Sequence, residues 1–226
     1  VAVVLMLLGS LPFTLYVAFL RGNRRALWRD QQVRGLLGFL LFTCLLFSLW
    51  LWQNSEHAWL DALRIVTLNV VSVVTTTGFA LGDYSLWGNF SLMLFFYLGF
   101  VGGCSGSTAG GLKIFRFQVA YILLKVNLKQ LIHPRAVIKQ NYNRHRLDED
   151  IVRSILAFSF FFTITIATLA LAVAMCGVDW ITALTGAAAM VSGVGPGMGE
   201  MVGPAGNYAT IPDTAKWLLS LGMLLG

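Results

Sequence analysis

Apolar residues run along this chain in long stretches that contain no aspartate, glutamate, lysine or arginine: Val1–Leu20, Leu36–Trp52, Tyr84–Leu112 and Ser154–Val178. A helix needs roughly 20 mainly apolar residues to cross a bilayer. A transmembrane β-barrel would show shorter segments of alternating polarity instead. The pattern therefore predicts an all-α integral membrane protein.

Two further apolar stretches, Trp59–Val74 and Trp180–Val191, are shorter than these spans. At about 1.5 Å per residue, a helix over the first would be only about 24 Å long. Each is followed at once by a glycine-containing turn, Thr75–Phe79 (TTTGF) and Ser192–Pro196 (SGVGP). We interpret both stretches as re-entrant half helices, which enter the membrane and turn back.

The composition and the placement of charge support a membrane location. Hydrophobic residues make up 57% of the chain and charged residues only 12%, too few to cover a water-soluble globule. Most of the 16 basic residues lie in two places, residues 21–35 and 113–153. The positive-inside rule assigns both to the cytoplasmic side, so the net charge of +6 does not indicate nucleic-acid binding.

The two half helices and their turns belong to a repeat. Gly195 lies 117 residues after Gly78, and four residues beyond each comes another glycine followed by an acid, Gly82-Asp83 and Gly199-Glu200. With the flanking stretches, the unit is span, re-entrant pore helix, filter loop, span. Both units start from the cytoplasmic side, so we expect tandem parallel repeats rather than inverted ones.

The glycine turns are candidate cation filters. A dehydrated cation needs oxygen ligands, which a ring of main-chain carbonyls supplies without a net charge that would trap the ion. Glycine adopts the backbone angles that aim such carbonyls inward. The predicted ligands come from six residues: Thr76, Thr77, Gly78, Gly193, Val194 and Gly195. Asp83 and Glu200, just outside, would concentrate cations at the outer mouth.

A glycine-rich segment, Gly102–Gly111 (GGCSGSTAGG), interrupts the apolar pattern after the third span. Each glycine costs about 1 kcal/mol against alanine in a helix, so no continuous helix is expected here. The segment superficially resembles a phosphate-binding loop, but Leu112 separates its last glycine from Lys113 and Ile114 follows the lysine. The sequence also lacks a grouping of nucleophile, base and orienting residue, and an enzyme is not expected.

Three motifs together resemble the Trk/Ktr/HKT superfamily of potassium transporters, most closely the pore-forming subunit of bacterial Trk systems. They are Thr75–Phe79 with Asp83, the run GGCSGSTAGGLK over Gly102–Lys113, and the stretch from Gly195 to Trp217 that contains GPG, GP and PDTAKW. The resemblance implies four tandem units in a potassium-channel-like fold. It assigns residues 1–20 to the last span of the second repeat, 21–35 to a cytoplasmic basic loop, 36–132 to the third repeat, 133–153 to a cytoplasmic connector, and 154–226 to a truncated fourth repeat.

The resemblance also implies a function. Glycine in both filters indicates potassium permeation, with potassium as the substrate and no cofactor in this chain. A gating loop would comprise Gly102, Gly103, Gly106, Ser107, Thr108, Gly110, Gly111 and Lys113. Lys113 is hypothesised to hold the closed arrangement, although a lysine reaching the inner interface explains it equally well.

The implied setting is the bacterial inner membrane. A homodimer and a cytoplasmic nucleotide-binding regulatory subunit (TrkA-like) are the partners that the resemblance implies. The basic face from Lys113 to Arg146 could meet that subunit, but anionic membrane lipids would suit it equally well. A sodium- or proton-coupled carrier built from broken helices stays an alternative, against which counts the lack of Asp, Glu or His within the spans.

Overall fold

The computed structural model describes residues 1–56, 58–133, 141–143, 145–199 and 201–226. The α-helices are α1 (Ala2–Gly9), α2 (Phe13–Leu20), α3 (Ala26–Arg29), α4 (Gln31–Asn54), α5 (Trp59–Val74), α6 (Asn89–Leu98), α7 (Ile114–Ile132), α8 (Glu149–Met175), α9 (Trp180–Ser192) and α10 (Asp213–Leu225). Short 3-10 helices span Tyr84–Trp87 and Tyr208–Thr210. Strand β1 (Val101–Gly102) pairs in parallel with β2 (Leu112–Lys113), and β3 (Asn141–Tyr142) pairs antiparallel with β4 (His145–Arg146).

Helices α4 and α8 are long and apolar enough to cross a membrane, which confirms two of the predicted spans. They contain 24 and 27 residues, with mean hydropathy of 2.1 and 2.2 in their most apolar windows. Asp30 caps the start of α4, where its carboxylate accepts hydrogen bonds from the amides of Gln32 (2.8 Å) and Val33 (3.2 Å). Large apolar side chains on the outer faces of both helices, such as Phe42 and Phe161, are exposed, as lipid contact requires.

Two predicted spans are not continuous helices. The stretch Val1–Leu20 is divided into α1 and α2, which together are apolar enough for one span but meet at an angle of 95°. Pro12 lies at this break in an extended conformation, and it has no amide hydrogen to continue a helix. Within the apolar stretch Tyr84–Leu112, the chain is likewise helical only over Tyr84–Trp87 and α6, which are separated by Gly88 at φ 109°.

The half helices appear where the sequence predicts them. Helix α5 has the predicted bounds, and α9 extends one residue beyond its prediction. Each packs against the long helix that precedes it, α4 with α5 and α8 with α9, and α10 packs on both α8 and α9. The expected order of span, pore helix, loop and span is therefore present in both repeats.

The cores of the two repeats interlock where the loops after the half helices meet. Val194 and Met198 of the second unit belong to the core cluster built around α4 and α5. In the other direction, Phe96 and Phe100 of the first unit pack against the cluster of α8, α9 and α10. This exchange brings the two predicted filter turns together.

Candidate functional site

The turns that follow α5 and α9 have the same backbone hydrogen bonds. The amide of Thr77 bonds the carbonyl of Ser72 at 2.9 Å, and that of Thr76 bonds Val73 at 3.0 Å. In the second unit the matching bonds are Val194 to Ala189 (2.9 Å) and Gly193 to Met190 (3.1 Å). This pair of bonds is a Schellman helix terminus, and it recurs at the spacing of the sequence repeat.

Left-handed backbone also occurs at corresponding positions. The φ angles are 53° at Thr76 and 72° at Gly193, 80° at Gly78 and 96° at Gly195, and 76° at Gly82 and 99° at Gly199. Glycine accepts these angles readily, whereas a β-branched residue such as Thr76 rarely adopts them. Such strain is retained where the surrounding structure imposes it.

The two turns are in direct contact. A Cβ built on Gly78 would stand 2.5 Å from the carbonyl oxygen of Val194 and 3.4 Å from Cδ of Pro196. Only glycine allows this approach, because a Cβ essentially never lies within 3.0 Å of a backbone oxygen. The structure thus places the glycine turns of the two repeats side by side.

Most carbonyl oxygens of the predicted filter accept no hydrogen bond within the described part of the chain. No described residue donates a hydrogen bond to the carbonyls of the first five predicted residues: Thr76, Thr77, Gly78, Gly193 and Val194. The carbonyl of the sixth, Gly195, accepts a hydrogen bond of 2.8 Å from the hydroxyl of Tyr208. Tyr208 was not singled out from the sequence, because nothing local marks a tyrosine 13 residues beyond the turn as its partner.

A polar side chain of each half helix holds the chain beyond the turn. Asn69, which is fully buried, donates to the carbonyl of Leu81 (3.1 Å) and accepts from its amide (2.8 Å). The hydroxyl of Thr185 makes the corresponding pair with Met198, at 3.1 and 3.0 Å. The sequence signal for this role is a polar residue within an otherwise apolar half helix, as at Asn69 in Trp59–Val74.

Asp83, a predicted residue of the outer mouth, also caps a helix. Its carboxylate accepts from the amide of Ser85 at 2.9 Å, at the start of the 3-10 helix Tyr84–Trp87. In the second unit Asn207 does the same with the amide of Ala209 at 3.1 Å. In this capping role Asp83 therefore corresponds to Asn207. Glu200, the other predicted mouth residue, lies outside the described residues.

The glycine-rich loop lies against both filter turns. The pairing of β1 with β2 closes the loop, and the amide of Gly110 donates a 2.8 Å hydrogen bond to the hydroxyl of Thr76. A Cβ on Gly110 would stand 2.5 Å from the carbonyl oxygen of Ser192. A Cβ on Gly102 would overlap the carbonyl oxygen of Gly110. Glycine at these positions is thus required by close backbone contact.

The same loop fills the break between α1 and α2. The amide of Cys104 bonds the carbonyl of Ser10 (3.0 Å), and the hydroxyl of Thr108 bonds that of Gly9 (2.9 Å). In return, the amide of Phe13 bonds the carbonyl of Gly106 (3.0 Å). The predicted gating residues Gly103 and Ser107 lie in this same stretch, where Gly103 is packed against Ser10. The sequence did not predict this contact with the first segment.

A polar network connects the glycine-rich loop to the arginine-rich side of the protein, which is the side of residues 21–35. The amide of Ser105 donates to the side chain of Gln32 at 2.9 Å. The main-chain carbonyl of the neighbouring Gln31 accepts a hydrogen bond of 3.0 Å from the side-chain amide of Gln118. The side-chain oxygen of Gln118 in turn accepts a bond of 2.5 Å from the hydroxyl of Tyr142. Burial, and next the charge of Asp30, raise the pKa of Tyr142.

Lys113 forms the end of the loop and the start of α7. It is half-buried and lines a cavity of about 380 Å³ together with Arg116 and Asp150. Arg116 lies over the ring of Phe158 at 3.7 Å. Within the described part of the chain Lys113 makes no ion pair. Gly111, at φ 66°, completes the turn that leads into β2.

Comparison with known proteins identifies the family. A sequence-family profile described as TrkH, a cation transport protein, matches residues 57–226. The chain belongs to the TrkH family. It is 57% identical over 221 residues to the Trk system potassium uptake protein TrkI of Halomonas elongata. That alignment covers 98% of this chain and 45% of TrkI. It is 31% identical over 225 residues to TrkH of Salmonella typhimurium, covering 99% of this chain and 46% of the relative.

A solved structure shows the same fold. The crystal structure of the potassium transporter TrkH from Vibrio parahaemolyticus matches with a TM-score of 0.91 and 30% sequence identity, over 99% of this chain and 48% of that one. The chain spans about half the length of the relatives it matches. The predicted family, the all-α membrane fold and the location as a multi-pass protein of the bacterial inner membrane are confirmed.

Proposed function

We propose that the protein takes up potassium across the bacterial inner membrane, and that this chain supplies the third and fourth of four filter segments. The observation that carries the proposal is the contact of Gly78 with Val194, which brings two turns of equal backbone conformation together. Similar proteins named as potassium uptake proteins support it.

The free carbonyl oxygens of the turns would replace the hydration shell of the ion. Helices α5 and α9 end at these turns, so the partial negative charge of their C-terminal ends also favours a cation there. The predicted ligands are the carbonyls of Thr76, Thr77, Gly78, Gly193, Val194 and Gly195. Asp83 would raise the local cation concentration at the mouth.

The glycine-rich loop, from Gly102 to Lys113, would act as the gate. Its support is the contact of Gly110 with Thr76 of one turn and with Ser192 of the other. Flow along an axis past these turns would require the loop to leave them, which breaks the Gly110–Thr76 hydrogen bond. The polar network through Gln32 gives a route by which a change on the arginine-rich side could move the loop.

The assembly is part of the proposal. A homodimer and a nucleotide-binding regulatory subunit bound at the cytoplasmic face are implied by the resemblance. Arg116, Lys125 and Lys129 of α7 suit such a partner or anionic lipid headgroups. Copurification of the regulatory subunit, and its loss after replacement of Lys125 and Lys129, would test that contact.

The decisive experiment is rubidium uptake by the full-length protein in proteoliposomes. We expect uptake that potassium inhibits and that Gly78→Ala abolishes, because the new Cβ would meet the Val194 carbonyl. Gly22→Ala is the matched control, since Gly22 also has a positive φ (99°) but nothing lies within 4 Å of an added Cβ. Uptake that persists without sodium or proton gradients favours a channel, and strict dependence on either gradient favours the coupled carrier.

A further inference from the structure

The hydrogen bond from Tyr208 to Gly195 singles out one carbonyl of the candidate filter. Its length is 2.8 Å, and the donor is a side chain from the loop that follows the turn. We propose that Tyr208 is a positioning residue, which fixes the direction of the Gly195 carbonyl and thereby the preference for potassium over sodium. The inference rests on the proposed function, because it assigns a role within the same filter.

Besides the bond from Tyr208, the backbone of Gly195 has a long hydrogen bond of 3.5 Å, from its amide to the carbonyl of Ala189. The φ of Gly195 is 96°, and an added Cβ would find nothing within 4 Å. Gly78, at the equivalent position, is instead confined by the Val194 carbonyl at 2.5 Å. The amide of Gly78 makes the same long bond, to Ser72 (3.5 Å). The two positions therefore differ in that packing confines Gly78, whereas the hydroxyl of Tyr208 holds the carbonyl of Gly195.

The loop that carries Tyr208 is itself fixed at both ends. Asn207 caps the 3-10 helix Tyr208–Thr210 through the amide of Ala209 (3.1 Å). The ammonium group of Lys216 donates to the carbonyl of Ala209 (3.1 Å) and to Asp213 (2.9 Å). The ring of Tyr208 packs against the core of α8, α9 and α10. The hydroxyl is therefore delivered by an ordered support.

The bond matters for selectivity because potassium and sodium differ in radius. A carbonyl that is free to tilt can follow the smaller ion, whereas one held in a fixed direction cannot do so without losing its hydrogen bond. The tyrosine hydroxyl also occupies one of the two lone pairs of the oxygen, which lowers the field that the oxygen offers to an ion. Both effects act against sodium.

Tyr84 provides a natural comparison in the other repeat. Like Tyr208, it is the first residue of a 3-10 helix after a side-chain cap. It is fully buried, however, and its ring stacks on Phe95 at 4.0 Å. No described residue accepts a hydrogen bond from its hydroxyl. The role therefore belongs to Tyr208 and not to the repeat in general.

The test uses the full-length protein in proteoliposomes and measures inhibition of rubidium uptake by potassium and by sodium. Tyr208→Phe keeps the ring and removes the hydroxyl. We expect its potassium preference to fall by up to about fivefold, the change that results when the whole free energy of one ordinary hydrogen bond distinguishes the two ions. Tyr84→Phe is the matched control and should keep the wild-type ratio. If Tyr208→Phe does not assemble, Asn207→Ala, which loosens the support of the tyrosine, should shift the ratio in the same direction.

Two results would overturn the inference, and they are distinguishable. A wild-type protein that prefers potassium, with the same ratio in Tyr208→Phe, overturns the role of Tyr208 and leaves the proposed function standing. This includes a variant whose uptake rate falls while its ratio stays unchanged, which would indicate a purely structural tyrosine. A wild-type protein without potassium preference overturns the proposed function and the inference together.

Discussion

Gly110 lies against the carbonyl oxygen of Ser192, which a Cβ on this glycine would approach to 2.5 Å. On its other side, its amide bonds the hydroxyl of Thr76. One residue of the glycine-rich loop therefore contacts both filter turns. The position of the loop and the geometry of the turns are coupled at this point.

Replacement of Gly110 by alanine should push the loop away from the turns. The new methyl group would meet backbone atoms of Ser192, which cannot rotate away as a side chain can. We therefore expect the free energy of unfolding to fall by about 1–3 kcal/mol. If the loop is the gate, rubidium leak through the unstimulated full-length protein should rise. Thermal unfolding and tracer uptake measure the two effects.

Gly38→Ala in α4 is the control for this variant, because nothing lies within 4 Å of an added Cβ there. It should raise helix stability slightly and leave the leak unchanged. An alanine at Gly110 that leaves stability and leak both at their wild-type values would contradict the proposed coupling.

Thr76 combines a strained φ of 53° with the hydroxyl that accepts from Gly110. Thr76→Val keeps the shape and removes the acceptor, so the half-buried Gly110 amide loses its partner at a cost of about 1–3 kcal/mol. We expect faster hydrogen exchange at the Gly110 amide, measured by mass spectrometry. Thr76→Ser keeps the hydroxyl and should exchange like the wild type. Equal protection in all three proteins would argue against this bond.

The sequence predicted the half helices and their turns well because their signals are local. A short apolar stretch followed at once by a polar, glycine-containing turn is sufficient to mark the end of a half helix, and α5 has the predicted bounds although Thr76, not a glycine, takes its left-handed terminal position. The contact between the turns could not be read from the sequence, since it depends on how distant segments pack. Family resemblance implied it instead.

The broken first segment shows what local patterns cannot reveal. Val1–Leu20 is uniformly apolar, and Pro12 is its main irregularity. The break is stabilised by Cys104, Gly106 and Thr108, nearly a hundred residues further along the chain, which satisfy backbone groups that a continuous helix would have paired internally. Hydropathy reports only that a segment suits the membrane, not which partner replaces its internal hydrogen bonds.

Asp83 offers a way to separate charge from structure at the outer mouth. Its carboxylate caps the 3-10 helix through Ser85, and Asn207 shows that an asparagine supports the same cap in the other repeat.

Asp83→Asn should therefore preserve the fold and remove only the charge. At low ionic strength we expect the potassium concentration for half-maximal uptake to rise severalfold, and the difference from wild type to shrink in high salt as the charge is screened. Asp83→Ala, which loses charge and cap together, should also lower the free energy of unfolding, by about 0.5–2 kcal/mol. If Asp83→Asn transports like the wild type at every salt concentration, the carboxylate serves the cap alone and the attraction of cations to the mouth has another source.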